Sequence, residues 1–289
     1  LNAWLASNGG AVASDVCSNV TWTNNFASVS DTCGATGSAT VTFTATDNCG
    51  NASTTSATFT IIDDTDPTIT TQASNLEVQC DGAGNTAQLN AWLASNGGAV
   101  ASDICSNVTW TNNFASVSDT CGATGSATVT FTATDNCGNA STTSATFTII
   151  DDTDPTITTQ ASNLEVQCDG AGNTAQLNAW LASNGGAVAS DVCSNVTWTN
   201  NFASVSDTCG ATGSATVTFT ATDNCGNTST TSATFTIIDD TDPTITTQAS
   251  NLEVQCDGNG NTAQLNAWLA SNGGAVASDV CSNVTWTNN

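Results

Sequence analysis

The segment LNAWLASNGG begins at Leu1 and returns at Leu89, Leu177 and Leu265, a constant spacing of 88 residues. The chain therefore holds three full periods and the first 25 residues of a fourth. Only three repeat positions vary: Val16 becomes Ile104, Ala52 becomes Thr228 and Ala83 becomes Asn259. A solenoid unit spans about 20–50 residues and cannot close a core alone. A period of 88 is long enough for a small domain that buries its own apolar face. Such near-identity points to recent duplication within a longer array and argues against a separate chemical task for each copy. The start at Leu1 rather than Met, with no secretory signal in view, reads as a processed product or a window of something longer.

The frame of the domain comes from proline. TIIDDTDPTIT (60–70) recurs at 148–158 and 236–246. Its Pro cannot donate to a strand ladder and suits the start of a first strand. This frame predicts complete domains over 67–154 and 155–242, with partial domains over 1–66 and 243–289.

Within 67–154 the periodicity is two. SATVTFTATD (126–135) alternates Ala127, Val129, Phe131 and Ala133 with threonines, and SATFTII (144–150) alternates Ala145, Phe147 and Ile149 with Thr146 and Thr148. Both predict strands with one buried and one hydroxyl face, joined by a turn at NCGN (136–139). NVTW (107–110) and NLEVQC (75–80) repeat the pattern briefly. NTAQLNAWLASNGG (85–98) predicts one short helix, with Leu89, Trp92 and Leu93 on one face, Asn85 or Thr86 as cap and Gly97–Gly98 as its end. The expected fold is an all-β array of tandem immunoglobulin-like β-sandwich domains, elongated like beads on a string, each with about seven strands and one helix. Scarce large aliphatics and high net charge point by composition alone to disorder. The regular alternation, two Trp per period and the cysteines outweigh that signal.

The chain has 25 acidic residues and no Lys, Arg or His, a formal net charge of −25. Affinity for phosphate backbones comes from Lys and Arg, so nucleic acid is excluded as a partner, and an anionic membrane surface is disfavoured. No apolar run approaches the ~20 residues of a membrane span. The lack of Lys, Arg, His and Tyr removes the usual general bases and oxyanion-stabilising cations, so no enzyme is expected.

Each period carries four cysteines, which in a thin-cored domain read as two disulfides and an extracellular, oxidising setting. Zinc is the rival, but the chain has neither a C-x-x-C pair nor a histidine. The cysteines concerned are Cys80, Cys105, Cys121 and Cys137, then Cys168, Cys193, Cys209 and Cys225. Three pairings are possible within a domain.

TVTFTATDNCGNASTTSATFTIIDDTDPTI (40–69) resembles the end of a hyalin-type (HYR-like) repeat and its junction to the next. The likeness lies in a T-x-T-x-T-A-T-D strand, a G-N turn, an F-x-I strand, then Asp and Pro. It covers every 88-residue unit and is strongest with tandem arrays in giant secreted surface proteins of Bacteroidetes-type bacteria. The resemblance implies an extracellular immunoglobulin-like module used in adhesion. Two departures stand out: Cys80 is followed by Asp81 rather than Pro, and Ala145 stands where the family has a cysteine. The family's disulfide is therefore not carried over.

In such a sandwich the first strand starts at the end where the B–C and F–G turns lie. That topology gathers Asp81, Asp103 and Asp135 around the incoming Asp63, Asp64 and Asp66; in the next domain Asp169, Asp191 and Asp223 gather around Asp151, Asp152 and Asp154. It also places Cys105 beside Cys137, favouring Cys105–Cys137 and Cys80–Cys121. Six converging carboxylates suit Ca²⁺, which takes about 6–8 oxygen ligands in irregular geometry; such a junction resembles the linker sites of cadherins. The alternative is that these Asp residues punctuate turns on an acidic surface.

The sequence thus predicts a structural spacer in a long adhesin or surface filament, stapled by disulfides and stiffened by calcium, whose partners are neighbouring repeats. Two rivals are a multivalent module for surface glycans and a fibre that pairs with other copies of itself. The T-x-T rows also suit an ice-binding face, though an exposed threonine face is far commoner. NVT (19–21) and NAS (51–53) fit the glycosylation sequon, which carries no meaning in a bacterial source.

Overall fold

The computed structural model describes residues 1–206 and 208–288. The chain divides into two compact units, one of Leu1–Thr120 with Thr124–Ile150, the other of Cys121–Ala123 with Asp151–Asn289.

The first unit runs α1 (Asn2–Ala6), β1 (Thr21–Asn24), β2 (Gly37–Thr46), β3 (Ala52–Ile61), β4 (Thr68–Thr71), β5 (Leu76–Gln79), α2 (Thr86–Ala94), β6 (Val100–Ser102), β7 (Thr109–Asn112), β8 (Gly125–Thr134) and β9 (Ala140–Ile150). Its sheets are β1-β2-β3, β4-β6 and β5-β9-β8-β7. The alternation produces what it predicts. Val129, Phe131 and Ala133 of β8 are fully buried, while Thr128 and Thr130 bond across the outer face to Thr146 (3.0 Å) and Ser144 (2.9 Å) of β9. Trp92 of α2 closes the core, its ring edge-on to Phe131 at 5.3 Å and tilted on Phe147 at 5.7 Å, with its indole N–H donated to the Ser74 carbonyl at 3.0 Å. Burying an aromatic of this size supplies a large share of a small domain's stability.

The second unit runs β10 (Thr156–Thr159), β11 (Leu164–Gln167), α3 (Thr174–Ala182), β12 (Val188–Ser190), β13 (Thr197–Asn200), β14 (Gly213–Thr222), β15 (Thr228–Ile238), β16 (Thr244–Thr247), α4 (Thr262–Ala270) and β17 (Val276–Ser278). Its sheets are β10-β12, β11-β15-β14-β13 and β16-β17, and Trp180 packs on Phe219 and Phe235 as Trp92 does on its pair. The fold is all-β, a tandem immunoglobulin-like sandwich with one short helix per full repeat. No described helix is long and apolar enough to cross a membrane.

Two details depart from the expected layout. Residues 67–154 form six strands rather than seven. β5 also joins β9 in parallel, Leu76 opposite Phe147 through Gln79 opposite Ile150. Asn85 sits at the helix start but caps nothing; wholly buried, it donates its amide to the Gln79 carbonyl (2.8 Å) and accepts from the Asp81 N–H (3.2 Å).

Candidate functional site: the acidic junction

Residues 62–66 connect β3 to β4, and Pro67 is fully buried where the chain enters the next sandwich. The turn between β8 and β9 grips this connection. Asp135 accepts the N–H groups of Cys137 (2.8 Å), Gly138 (2.6 Å) and Asn139 (2.9 Å) on one oxygen. On the other it takes the Asn139 amide at 2.8 Å, and that amide also reaches the Asp63 carbonyl at 3.2 Å. Asp66 accepts the Ala140 N–H at 3.2 Å. From the other side of the same end, Asp103 accepts the N–H groups of Cys105 (2.8 Å) and Ser106 (2.9 Å). Asp63, Asp103 and Cys105 thereby offer ligand atoms that all lie within 4.8 Å of one another. One oxygen of Asp63, Oδ2, is buried with no hydrogen-bond partner. A buried carboxylate oxygen without a partner is costly unless a cation compensates it, and this chain has no basic side chain to do so.

The second unit repeats the arrangement. Asn227 donates to the Asp151 carbonyl (3.1 Å) and to Asp223 (2.7 Å), Asp154 accepts the Thr228 N–H (3.2 Å), and Asp151, Asp191 and Cys193 gather within 4.8 Å. The carboxyls respond in opposite ways. Burial pushes Asp223 up, but the Asn227 amide and the N–H groups of Asn227, Gly226 and Cys225 outweigh it and hold the group below the usual carboxylate range. Asp135 is lowered in the same manner. Asp151 is raised, first by burial and further by the charges of Asp191, Asp223 and Asp152, against a lowering bond from Thr153. The Cys105 thiol is raised by burial and by the charges of Asp63, Asp103 and Asp135.

Of the carboxylates expected together, Asp63 lies within 4.8 Å of Asp103 and Asp151 within 4.8 Å of Asp191, while Asp135 and Asp66, like Asp223 and Asp154, bond the adjoining turn. Asp64 and Asp152 are exposed. Asp81 and Asp169 lie elsewhere. The N–H of Cys80 bonds the Ile150 carbonyl at 2.8 Å, the far end of the strand that begins at Ala140, roughly 30 Å away at ~3.3 Å per residue. Asp81 closes its own loop there, accepting from Ala83 (2.8 Å) and Asn85 (2.9 Å), and Asp169 does the same with Ala171 and Asn173. The parallel course of β5 carries both away from the junction.

The cysteines pair differently from the expectation. Cys137 is bonded to Cys33 (Cα–Cα 5.1 Å), Cys121 to Cys225 (5.3 Å) and Cys168 to Cys281 (6.1 Å). Cys80 and Cys193 are also disulfide-bonded, whereas Cys105 and Cys209 are free. Neither Cys105–Cys137 nor Cys80–Cys121 forms. Cys121 precedes β8 and Cys137 follows it, so a ten-residue strand separates them, and each faces the adjoining repeat instead. The loops carrying Cys33, Cys121 and Cys209 dock on the next repeat: the N–H of Ala123 donates to the Cys193 carbonyl at 2.8 Å, as Ala35 does to Cys105 and Ala211 to Cys281. Gly122, at φ +59°, allows that approach, because a Cβ there would collide with the Cys193 carbonyl.

Sequence reasoning missed Asn139 and Asn227, reading NCGN only as a turn. The signal was the fixed D-N-C-G-N spacing, which lets one Asn amide reach back to the Asp four residues before it.

No protein-family model matches the chain, and no curated protein sequence matches it. Among solved structures it is similar to the protocadherin gammaB7 EC3-6 cis-dimer, with 15% identity over 74% of this chain and 61% of that one, TM-score 0.30. It is similar to mouse clustered PcdhgC3 EC1-3, with 12% identity over 72% and 79%, TM-score 0.25. It is also similar to titin domains I67-I69, with 9% identity over 78% and 89%, TM-score 0.29. The chain thus spans less than two thirds of the first of these.

Proposed function

We propose that this chain is a load-bearing spacer from a long extracellular adhesin or surface filament. Its complete domains span 67–154 and 155–242, with partial ones at 1–66 and 243–289. The carrying observation is that the disulfides join successive repeats rather than the two sheets of one sandwich. A spacer gains stiffness from bonds placed there; an isolated binding module gains nothing from them. Disulfides of this kind persist in oxidising surroundings outside the cell.

Ca²⁺ at each junction is part of this reading. It would be held by Asp63, Asp66 and Asp103 with Asp135 behind them, and by Asp151, Asp154 and Asp191 with Asp223. The partnerless Asp63 Oδ2 supports a cation there, and the hard carboxylate oxygens of Asp63 and Asp103 beside the Cys105 thiol favour Ca²⁺. The glycan rival loses support from the Trp residues, since Trp92 and Trp180 are core anchors and only 6% exposed. Small-angle scattering and thermal melting of the 289-residue chain, with Ca²⁺ and then with chelator, test the reading. At about 100 times the dissociation constant, binding adds ~2.7 kcal/mol, a shift in Tm of several degrees. Unchanged melting and unchanged maximum dimension would sink calcium. Unchanged dimension after selective reduction of the inter-repeat bonds would sink the stiffening role.

A further inference from the structure

The shortest covalent route along this chain is far shorter than its backbone. Cys33 is bonded to Cys137 and Cys168 to Cys281, bonds that skip 104 and 113 residues. A pull applied outside both bonds crosses from Cys33 to Cys137, follows the backbone to Cys168 and crosses to Cys281. The backbone in that route is the 31 steps between Cys137 and Cys168. Fully extended at ~3.5 Å per residue, it measures about 110 Å. The 248 steps from Cys33 to Cys281 would measure about 870 Å.

We propose that this bonding pattern makes the chain a tether of limited length, one that gains little extension when its domains unfold under load. The loaded segment contains β9, the acidic connection at 151–154, β10 and β11. Tension enters β9 just after Cys137 and leaves it toward Pro155, so it runs along the strand. The partners of β9 are off the route. β8 pairs with it from Thr134 opposite Ala140 to Gly125 opposite Ile149, and β5 from Leu76 opposite Phe147 to Gln79 opposite Ile150. Trp92, which packs on Phe131 and Phe147, also lies inside the bridged loop. When the sandwich opens, residues 34–136 and 169–280 release no slack, because a bond holds the two ends of each loop together.

A second route backs up the first. From Cys137 the chain leads 16 steps back through β8 to Cys121, and Cys121 is bonded to Cys225. Reduction alone lifts the limit. A dithiol such as dithiothreitol attacks one sulfur as its thiolate and displaces the other, then closes into its own cyclic disulfide. Two electrons and two protons pass to the protein, leaving two thiols per bond. The inference deepens the spacer reading and needs no calcium. Scattering tests the folded chain, whereas the length limit belongs to the unfolded one, so either can fail without the other.

The test is optical-tweezer pulling of the 289-residue chain, held by peptide tags at its two ends, in chelator and with free thiols alkylated. Without reductant the span from Cys33 to Cys281 should stop at about 120 Å, the two bonds included. Dithiothreitol should then release about 750 Å more, a difference to which the tails outside the bonds contribute nothing. Cys168→Ser removes one bond and leaves the second route, 16 steps back to Cys121, across to Cys225 and 56 steps on to Cys281. Its limit should exceed the parent's by about 140 Å. Length is read after the domains have opened, so a less stable variant still reports it. The proposal is overturned by an oxidised chain that lengthens by several hundred ångström, by no further gain on reduction, or by a Cys168→Ser limit equal to the parent's.

Discussion

Cys121 is bonded to Cys225, 104 residues further along, and not to any of the other cysteines of its own repeat. Cys121→Ser should therefore expose one additional reactive thiol, that of Cys225, and no other. Closing a loop of about this length stabilises by up to ~4.7 kcal/mol in the chain-entropy account, so the variant should unfold at lower urea. Thiol titration of the folded protein together with a urea melt checks both halves of the statement.

Gly122→Ala places a methyl group against the Cys193 carbonyl at a backbone angle of φ +59°. The hydrogen bond from Ala123 should be lost and the docked loop lifted. The Cys121–Cys225 bond should then be reduced by mild dithiothreitol several times faster than in the parent, while Cys168–Cys281 keeps its rate. Equal rates for both bonds would contradict the docking argument.

Trp92→Ala removes the ring that spans Phe131 and Phe147 and should cost about 3–5 kcal/mol. Asn85→Ala keeps the core but leaves the Gln79 carbonyl and the Asp81 N–H unsatisfied, a penalty of about 1–3 kcal/mol. Denaturant unfolding of the two variants should rank them in that order.

Acid should weaken the junction through Asp135 and Asp223. Their pKa values in the folded state lie below the unfolded values. The stability they contribute is thus fully present above the unfolded carboxylate pKa of about 3.9 and is lost as pH falls through the folded value. Asp151 has the opposite sign: its folded pKa is raised, so its contribution is present at low pH and lost as pH rises through the folded value. Urea melts across the acid range should show Asp223→Asn flattening the acid loss and Asp151→Asn raising stability at neutral pH. Added Ca²⁺ should erase the second effect if the cation sits there.

The sandwich was legible because β8 and β9 follow a strict two-residue period, and the helix because Leu89 and Trp92 fall on one face. Asp63 and Asp103, both named from the expected topology, lie within 4.8 Å of each other. Asp81 failed for one reason: alternation reveals which face a side chain takes but not which way the strand runs, and β5 runs with β9. The disulfides failed for another. In a chain whose repeats are nearly identical, spacing fixes a cysteine's position within its repeat and says nothing about which repeat holds its partner. Asn139 was overlooked because a short polar turn looks the same whether or not it grips a neighbouring segment.

The bridges Cys33–Cys137, Cys121–Cys225 and Cys168–Cys281 overlap in sequence. Every peptide bond between Cys33 and Cys281 is therefore spanned by at least one of them. A protease that nicks this region once, at the exposed acidic connections or anywhere else, leaves both fragments tethered. Severing the strand there takes a cut and a reductant together, so damage that would release the outer part of an ordinary multidomain chain leaves this one in a single piece.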